Sequence, residues 1–339
     1  MRTTTIPMTH AAGMGPLPAL LVAASGSNAL KRVLQTARLP LEITSRADMR
    51  LPLASLVEIF EHAAAEAGER CFGLRVGQQM DPQSFGPWAR YCMSAPTLDV
   101  AIRRFVRSVG IYQTGAASFL RASGERAVWG YRRPYQRTGG MQHADHVIPP
   151  MINFIQSYLG DDWSPEIVHV CYPRDMSAQR FEQALGTTVM FEAPDIAVVI
   201  DKAALRTERL HRVGLDEQLT MADVFAESTT DSRTTVGAVR DILRLRALRG
   251  ELDLEGTARF AGIGPRSLQR QLHRLGLSYR KLVEEISMQR AIGLLTDTDH
   301  PIAEIAFSLG YNEPGNFTRA FRRLTGHSPQ QYRHAAASN

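Results

Sequence analysis

Two stretches near the end of the chain repeat one pattern of apolar and polar positions. The later stretch begins with apolar residues at the spacing of one helix face, namely Ile302, Ile305, Ala306 and Leu309. Gly310 follows, at a position where helices often end in a left-handed glycine. Pro314 then opens a second helix, whose apolar stripe is Phe317, Ala320, Phe321 and Leu324. The pattern predicts a helix, a glycine turn and a second helix.

The earlier stretch follows the same plan. Its first helix has an apolar face made of Leu254, Thr257, Ala258 and Ala261. Gly262 and Gly264 mark the turn, and Pro265 opens a second helix in which Leu268 and Leu272 face inward. Residues 279–296 predict a connecting helix of about five turns at ~3.6 residues per turn. Residues 236–249 predict one further helix ahead of both units.

The second helix of each unit is rich in arginine and amide side chains. A helix-turn-helix places its second helix in the DNA major groove, where Arg and Asn pair with guanine and adenine edges. The candidate DNA contacts are Arg266, Ser267, Gln269, Arg270, His273, Asn316, Thr318, Arg319, Arg322 and Arg323. The alternative is a helical bundle in which the arginines form only a solvated face.

The front of the chain mixes helical and strand patterns. Residues 1–25 have no clear period and are expected to be a mobile lead-in, and residues 211–235 are polar enough for a linker. Between them, residues 26–210 predict helices and several short strands, including a hairpin turned at Gly124. We therefore predict an α+β domain followed by an all-α domain, at residues 236–335, with two helix-turn-helix units joined by a connecting helix.

Charge is distributed unevenly along the 339 residues, a length that predicts two or three domains. Residues 232–339 carry 16 Lys and Arg against 10 Asp and Glu, a net +6, whereas the remainder has a net charge of −1. The positive charge therefore lies where DNA phosphates are expected. The apolar run at 17–24 is too short for a membrane span of ~18–20 residues. It also lacks a signal-peptide cleavage site, so we expect a cytoplasmic protein without a membrane partner.

Residues typical of catalytic or metal sites are sparse. Cys71, Cys92 and Cys171 are widely spaced, which favours buried thiols over a disulfide framework or a zinc motif. His143 and His146 have a spacing found at metal sites, but no Cys or Glu motif supports a metal, and a surface or pocket pair is favoured. We predict no enzymatic activity, no catalytic residue, no cofactor and no metal.

Aromatic residues are concentrated in the predicted α+β domain. Small-molecule sites are mostly apolar with a few polar anchors, so these residues are candidates for an effector pocket, with plain core packing as the alternative. They are Trp88, Tyr91, Tyr112, Trp129, Tyr131 and Tyr135. Arg103, Arg104 and Arg107 share one helix and are candidates for anion binding, although a solvated face is favoured.

The two-unit region closely resembles the AraC/XylS-type transcription regulators over about 80 residues. The resemblance is carried by Pro-Arg-Ser-Leu-Gln-Arg-Gln-Leu at 265–272, Ile-Ala-Phe-Ser-Leu-Gly-Tyr at 305–311 and Phe-Thr-Arg-Ala-Phe at 317–321. Gly264 stands where the family often has a serine cap, and Tyr311 where it often has phenylalanine. Residues 50–53, 72–77 and 94–98 resemble the arabinose-binding-type sensory domain of one branch, which includes regulators of ornithine use.

This resemblance implies a regulator that binds double-stranded promoter DNA and responds to a small-molecule effector. Its further partners would be RNA polymerase, if it is an activator, and a second copy of itself. Two alternatives stay open. One is a constitutive dimeric regulator without ligand, and the other is a sensor or enzyme domain fused to a DNA-binding module.

Overall fold

A computed structural model describes residues 6–133, 140–210, 219–226 and 233–337. The chain divides into two compact units, Met1–Thr234 and Thr235–Asn339. The N-terminal unit combines helices with two sheets, whereas the described part of the C-terminal unit is all helical. The prediction of an α+β domain followed by an all-α domain with two helix-turn-helix units is therefore confirmed.

The N-terminal unit begins with a small two-stranded sheet. Strand β1 (Met8–His10) pairs antiparallel with β2 (Arg50–Pro52), and helix α1 (Leu17–Ser25) lies between them in the chain. Met8, Leu17 and Leu21 are fully buried. The expectation of a mobile lead-in is therefore wrong for residues 6–25. Helix α1 is apolar around most of its circumference, so it shows no amphipathic period by which the sequence could reveal it.

Helices make up most of the rest of this unit. They are α2 (Ser27–Thr36), α3 (Leu53–Ala67), α4 (Phe72–Gln78), α5 (Pro87–Met93), α6 (Leu98–Tyr112), α7 (Met141–Leu159), α8 (Ala178–Leu185) and α9 (Met221–Ala226). Helix α9 lies in the predicted linker, yet its Val224 is buried against α5. Residues 211–218 and 227–232 of that linker are outside the described residues.

A five-stranded sheet supports these helices. It consists of β3 (Ala117–Ser123), β4 (Arg126–Arg132), β5 (Ile167–His169), β6 (Thr188–Met190) and β7 (Ile196–Asp201), in the order β3-β4-β7-β5-β6. Only the β5–β6 pair is parallel among the pairings described. In the central strands Trp129 lies opposite Val198, and both are buried in one hydrophobic core. That core extends to α5, α6 and α7.

The C-terminal unit consists of helices that match the predicted double motif. They are α10 (Thr235–Ala247), α11 (Leu254–Phe260), α12 (Pro265–Arg274), α13 (Tyr279–Asp297), α14 (Ile302–Ser308), α15 (Pro314–Thr325) and α16 (Pro329–Ala337). Helix α13 is one continuous helix, capped by Ser278, whose side chain accepts a hydrogen bond from the Lys281 amide at 3.2 Å. Helix α16 was not predicted from the sequence.

Candidate DNA interface and effector cavity

The two helix-turn-helix units close their turns with the same hydrogen bonds. The Ile263 amide donates to the Ala258 carbonyl at 3.0 Å, and the Tyr311 amide donates to the Ala306 carbonyl at 3.0 Å. Gly262 and Gly310 occupy the turns at φ +67° and +84°. Only glycine adopts this region without strain, so both turns depend on a glycine at this point. The structure thus repeats one backbone geometry, α11–turn–α12 and α14–turn–α15.

Polar side chains anchor the first unit. The Tyr279 hydroxyl lies 3.0 Å from the Leu252 carbonyl oxygen and 2.7 Å from the Thr257 hydroxyl oxygen, tying α13 to the start of α11. Arg246 on α10 is 5% exposed and donates to the Asp253 carboxylate at 2.5 Å. Its guanidinium carbon also lies 5.3 Å from the centre of the Phe260 ring. Arg246 could not be identified as an anchor from the sequence, because a buried arginine has the same sequence pattern as a solvated one.

Aromatic rings anchor the second unit. Phe317 and Phe321 are fully buried, with ring centres 5.6 Å apart, and Phe321 meets Tyr332 of α16 edge to face at 5.5 Å. The predicted apolar stripe is wrong at its last position, because Leu324 is 51% exposed. Helix α15 ends one residue later, at Thr325, and Tyr332 of α16 contacts α15 at Phe321. Arg333 of α16 donates to the His300 carbonyl at 2.6 Å, which fastens α16 to the loop before α14.

All ten candidate DNA contacts lie on α12 and α15, away from the buried positions of those helices. Eight are exposed, namely Arg266, Gln269, Arg270, His273, Asn316, Arg319, Arg322 and Arg323. Ser267 and Thr318 are only partly exposed. The Thr318 hydroxyl donates to the Pro314 carbonyl at 3.1 Å, so its proton is already engaged by its own helix. Arg319 donates to the side-chain oxygen of Asn316, which holds the two side chains together on the surface of α15.

The N-terminal unit contains a cavity of about 100 Å³, here called the aromatic cavity. Four predicted pocket residues line it: Trp88, Tyr112, Trp129 and Tyr131. Its other described walls are Thr9, Gly13, Leu56, Pro82, Phe85, Ala89, Phe105, Val109, Gln113, His143, His146, Val147, Pro150, Met151 and Phe154. The structure therefore brings together residues of α3, α5, α6, α7 and β4 around one space.

The other two proposed pocket aromatics are Tyr91 and Tyr135. Tyr91 is not among the described residues that line the aromatic cavity, because its ring instead contacts the Arg104 guanidinium at 4.7 Å. The role of Tyr91 in effector binding therefore stays a prediction, and Tyr135 lies outside the described residues. Arg104 also donates to the Tyr91 carbonyl at 2.8 Å, and Arg103 pairs with Asp99 at 2.7 Å. Both arginines thus have partners on the protein.

The histidine pair forms part of the cavity wall. His143 and His146 are buried, and the His146 ring stacks on Phe60 with centres 4.1 Å apart. Burial lowers the pKa of His146 to about 4 and the pKa of His143 well below its usual value, so both are neutral at neutral pH. Among the described residues, the His143 Nδ1 and the Tyr112 hydroxyl are buried without a hydrogen-bond partner.

Close packing of α4 fixes the helix that carries these histidines. A Cβ on Gly73 would lie 2.1 Å from the Gln142 carbonyl oxygen, and one on Gly77 would lie 2.5 Å from that of His146. Any larger residue would therefore push α4 away from α7. Helix α7 also contains Pro149 and Pro150 in its interior. Proline lacks an N–H, so the carbonyl groups four residues earlier do not receive their usual helical hydrogen bond.

A second, polar cavity of about 360 Å³ lies on the other side of α7. Its walls include Glu61, Arg133 and Tyr172. Beside it, Arg70 pairs with the buried Asp145 at 2.8 Å. Burial nevertheless raises the pKa of Asp145 to about 7, against the opposing effect of Arg70. This cavity therefore has charged walls, unlike the aromatic cavity.

The cysteines give no sign of metal or redox chemistry in the part of the chain that the structure describes. Burial raises the pKa of the Cys92 thiol to about 12 and that of Cys171 to about 11, which keeps both protonated. Within that same part, no group of three or more His, Cys, Asp or Glu residues could hold a metal ion. No described helix is long and apolar enough to cross a membrane.

These features define a DNA-binding protein of the double helix-turn-helix type with a cavity-bearing domain ahead of it. The family described as "Arabinose-binding domain of AraC transcription regulator, N-term" matches residues 29–208, more than half of the chain. A "Helix-turn-helix domain" family matches residues 257–335. The chain therefore belongs to the AraC family of transcription regulators, and the resemblance read from its sequence is confirmed. It is a DNA-binding transcription regulator with an N-terminal ligand-binding domain.

Similar proteins are regulators too. The "Ornithine utilization regulator" of Pseudomonas aeruginosa is 26% identical over 308 residues, which covers 88% of this chain and 89% of that protein. The regulator VirS of Mycobacterium tuberculosis is 26% identical and covers 87% and 88% respectively. The solved structure of the regulator CdpR of P. aeruginosa covers 91% of this chain and 97% of its own, with 20% identity and a TM-score of 0.41. The prediction that the chain is not an enzyme agrees with these named regulators.

Proposed function

We propose that α12 and α15 read two successive major-groove segments of promoter DNA, and that a small molecule in the aromatic cavity controls this binding. The observation that carries the proposal is the repeated motif with both arginine-rich faces exposed. Residues 232–339 also have a net charge of +6, which favours contact with phosphates. A regulator fused to an enzyme domain is disfavoured, because both parts of the chain match domain families of transcription regulators and its relatives are named as regulators.

Base reading is tested by Arg270→Ala and Arg319→Ala in the full chain. Each side chain is exposed on a second helix, and a lost bidentate base contact costs roughly 1–3 kcal/mol, or about 5- to 150-fold in affinity. We expect that loss on a site selected from random DNA and a smaller loss on unselected DNA, measured by fluorescence anisotropy. Arg126→Ala is the control, since Arg126 pairs with Glu166 in the N-terminal unit. Equal losses on both DNAs would identify phosphate contacts instead.

The connecting helix sets the distance between the two reading helices. Helix α13 runs without interruption through Tyr279–Asp297, so its 19 residues span about 28 Å at ~1.5 Å per residue. If α12 and α15 bind the same face of the DNA, they should contact segments about 10 bp apart. Inserting roughly five base pairs between these segments should abolish specific binding, because it turns one segment to the opposite face. Retained affinity after the insertion would contradict the rigid two-headed model.

Effector control distinguishes this proposal from a constitutive regulator. An effector acts only by binding one DNA-binding state more tightly than the other. A thermal-shift screen of the full chain against amino acids, amines, sugars and small aromatic compounds should give binders. At least one of these should change the affinity for the selected DNA site. Binders that all leave DNA affinity unchanged would favour the constitutive alternative.

The remaining partners are part of the same proposal. We propose that the protein acts in the cytoplasm as a homodimer and contacts RNA polymerase if it activates transcription. Light scattering of the full chain with and without its DNA site tests the dimer. A complex with one chain on each site would contradict it.

A further inference from the structure

The walls of the aromatic cavity exclude most charged ligands. Among the described residues that line it, none is Asp, Glu, Lys or Arg. Its histidines are neutral at neutral pH, because burial lowers the pKa of both. A charged group that enters such a site loses its hydration without gaining an opposite charge, which is unfavourable by several kcal/mol or more. An ammonium or carboxylate group would find ionic partners in the polar cavity instead, beside Glu61 and Arg133.

Two polar atoms nevertheless lack partners at the aromatic cavity. Tyr112 is 8% exposed and His143 is 1% exposed, and neither the Tyr112 hydroxyl nor the His143 Nδ1 has a hydrogen-bond partner among the described residues. Nearly all buried polar atoms in proteins are hydrogen-bonded, and an unsatisfied one is unfavourable. The neighbouring polar groups satisfy each other, because Gln113 donates to the Tyr131 hydroxyl and accepts from Thr9 at 3.2 Å.

The size and shape of the walls indicate a small flat occupant. The cavity volume is about 100 Å³, and Trp88, Trp129 and Phe154 supply aromatic faces. An apolar cavity of about 150 Å³ takes up benzene, so this smaller cavity has room for no more than about one ring. Aromatic pairs are also stabilised beyond the effect of the area that they bury.

We propose that the aromatic cavity binds a neutral, mostly apolar compound of about one ring that carries a single hydroxyl or carbonyl group, and that Tyr112 and His143 hold this group. The inference rests on the proposed function, in which the occupant of this cavity is the effector. It excludes diamines, amino acids and sugars as ligands of this cavity.

Tryptophan fluorescence of the full chain tests the proposal directly. Two of the three tryptophans, Trp88 and Trp129, line the cavity, so occupancy should change the emission. The probes are 2-phenylethanol, ethylbenzene without the hydroxyl, phenylethylamine with a charge, and L-ornithine. We expect 2-phenylethanol to bind most tightly, followed by ethylbenzene. Phenylethylamine or L-ornithine binding as tightly as 2-phenylethanol, or no binding of either neutral probe, would overturn the proposal.

Substitutions assign the hydrogen bonds. Tyr112→Phe should weaken 2-phenylethanol binding roughly three- to tenfold, the effect of one hydrogen bond, and leave ethylbenzene within about twofold. His143→Leu should act in the same direction, so a folding defect in one variant does not decide the result. Tyr91→Phe removes a tyrosine hydroxyl outside the described lining and is the matched control. Equal affinity for 2-phenylethanol in wild type and both cavity variants would overturn the role of these groups.

A separate measurement distinguishes this inference from the proposed function. The affinity for the selected DNA site is measured with and without the bound neutral probes. Probe binding that depends on Tyr112 but leaves DNA affinity unchanged supports the ligand class and contradicts effector control through this cavity. A change in DNA affinity caused by L-ornithine, with no response of the cavity tryptophans, supports effector control and overturns the cavity assignment.

Discussion

The two helix-turn-helix units have the same turn geometry but are held by different interactions. In the first unit, Arg246, Asp253 and Tyr279 make directional hydrogen bonds between α10, α11 and α13. In the second, Phe317 and Phe321 pack against Tyr311 and Tyr332. The common turn glycines and backbone hydrogen bonds fix the shape. Side-chain chemistry is therefore free to differ, as long as each second helix is held in place.

This difference has consequences for stability. A buried aromatic ring contributes through the area that it removes from water, and this contribution hardly depends on pH. A buried arginine contributes only while its hydrogen bonds are complete, since its own desolvation is unfavourable. The aromatic anchor should therefore be the stronger one, and the polar anchor the more sensitive to conditions.

The largest effect is expected from Phe321→Ala in the second unit. Its side chain is fully buried, and loss of a buried Phe typically costs about 3–5 kcal/mol. Chemical denaturation measures the change in the free energy of unfolding, and hydrogen exchange measures the loss of protection in α15. Leu324→Ala on the same helix is the control, with an expected change below about 0.5 kcal/mol because Leu324 is half exposed. A similar loss of stability in the two variants would contradict the burial of Phe321 and the exposure of Leu324.

A smaller effect is expected from Arg246→Met in the first unit. Removal of one partner of a buried ion pair costs about 3–5 kcal/mol when the other stays buried, but the Asp253 side chain is 56% exposed and remains hydrated. We therefore expect a loss of about 2 kcal/mol, seen as weaker exchange protection of α11. Arg249→Met is the control, because Arg249 pairs with Glu251 at the surface. A cost above that of Phe321→Ala would reverse the ranking of the anchors.

The smallest effect is the response to acid. Hydrogen bonding from the Gly256 amide, with a contribution from Arg246, lowers the pKa of Asp253. Its stabilising effect is present above its usual value of about 4 and is lost as the pH falls through the lowered pKa. We expect α11 to lose hydrogen-exchange protection between pH 5 and 3, and α15 to lose less. In the Asp253→Asn variant, α11 and α15 should respond equally to acid, since asparagine still caps the helix but does not titrate.

The double motif could be predicted from the sequence because its signals are local. Pro265 and Pro314 begin α12 and α15 in the structure as expected, and the turn glycines follow the buried positions of α11 and α14. Leu324 was misplaced, and Tyr91 is not among the described residues that line the aromatic cavity, because their surroundings depend on contacts from other elements. Arg104, from α6, holds the Tyr91 ring, and the end of α15 leaves Leu324 uncovered.

The cavity could be predicted only in part. Four of the six aromatic residues proposed for the pocket line it, and Tyr135 lies outside the described residues, but spacing alone did not place Thr9, Phe105 or Gln113 beside them. These residues come from distant parts of the chain and meet through strand β1 and helix α6. The histidine pair was visible at its i, i+3 spacing, whereas its complete burial depends on Phe60 from α3.

The consecutive prolines of α7 have a mechanical consequence. A helix resists bending mainly through its ladder of backbone hydrogen bonds, and Pro149 and Pro150 remove two successive rungs. Sharp bends in helices occur most often at such points. The glycines of α4 pack tightly against the first turns of α7 at Gln142 and His146, while Ile155 and Tyr158, after the prolines, are buried in the hydrophobic core that includes Trp129 and Val198. Helix α7 should therefore bend most easily at Pro149 and Pro150, between two packed segments and next to the aromatic cavity that Pro150 lines.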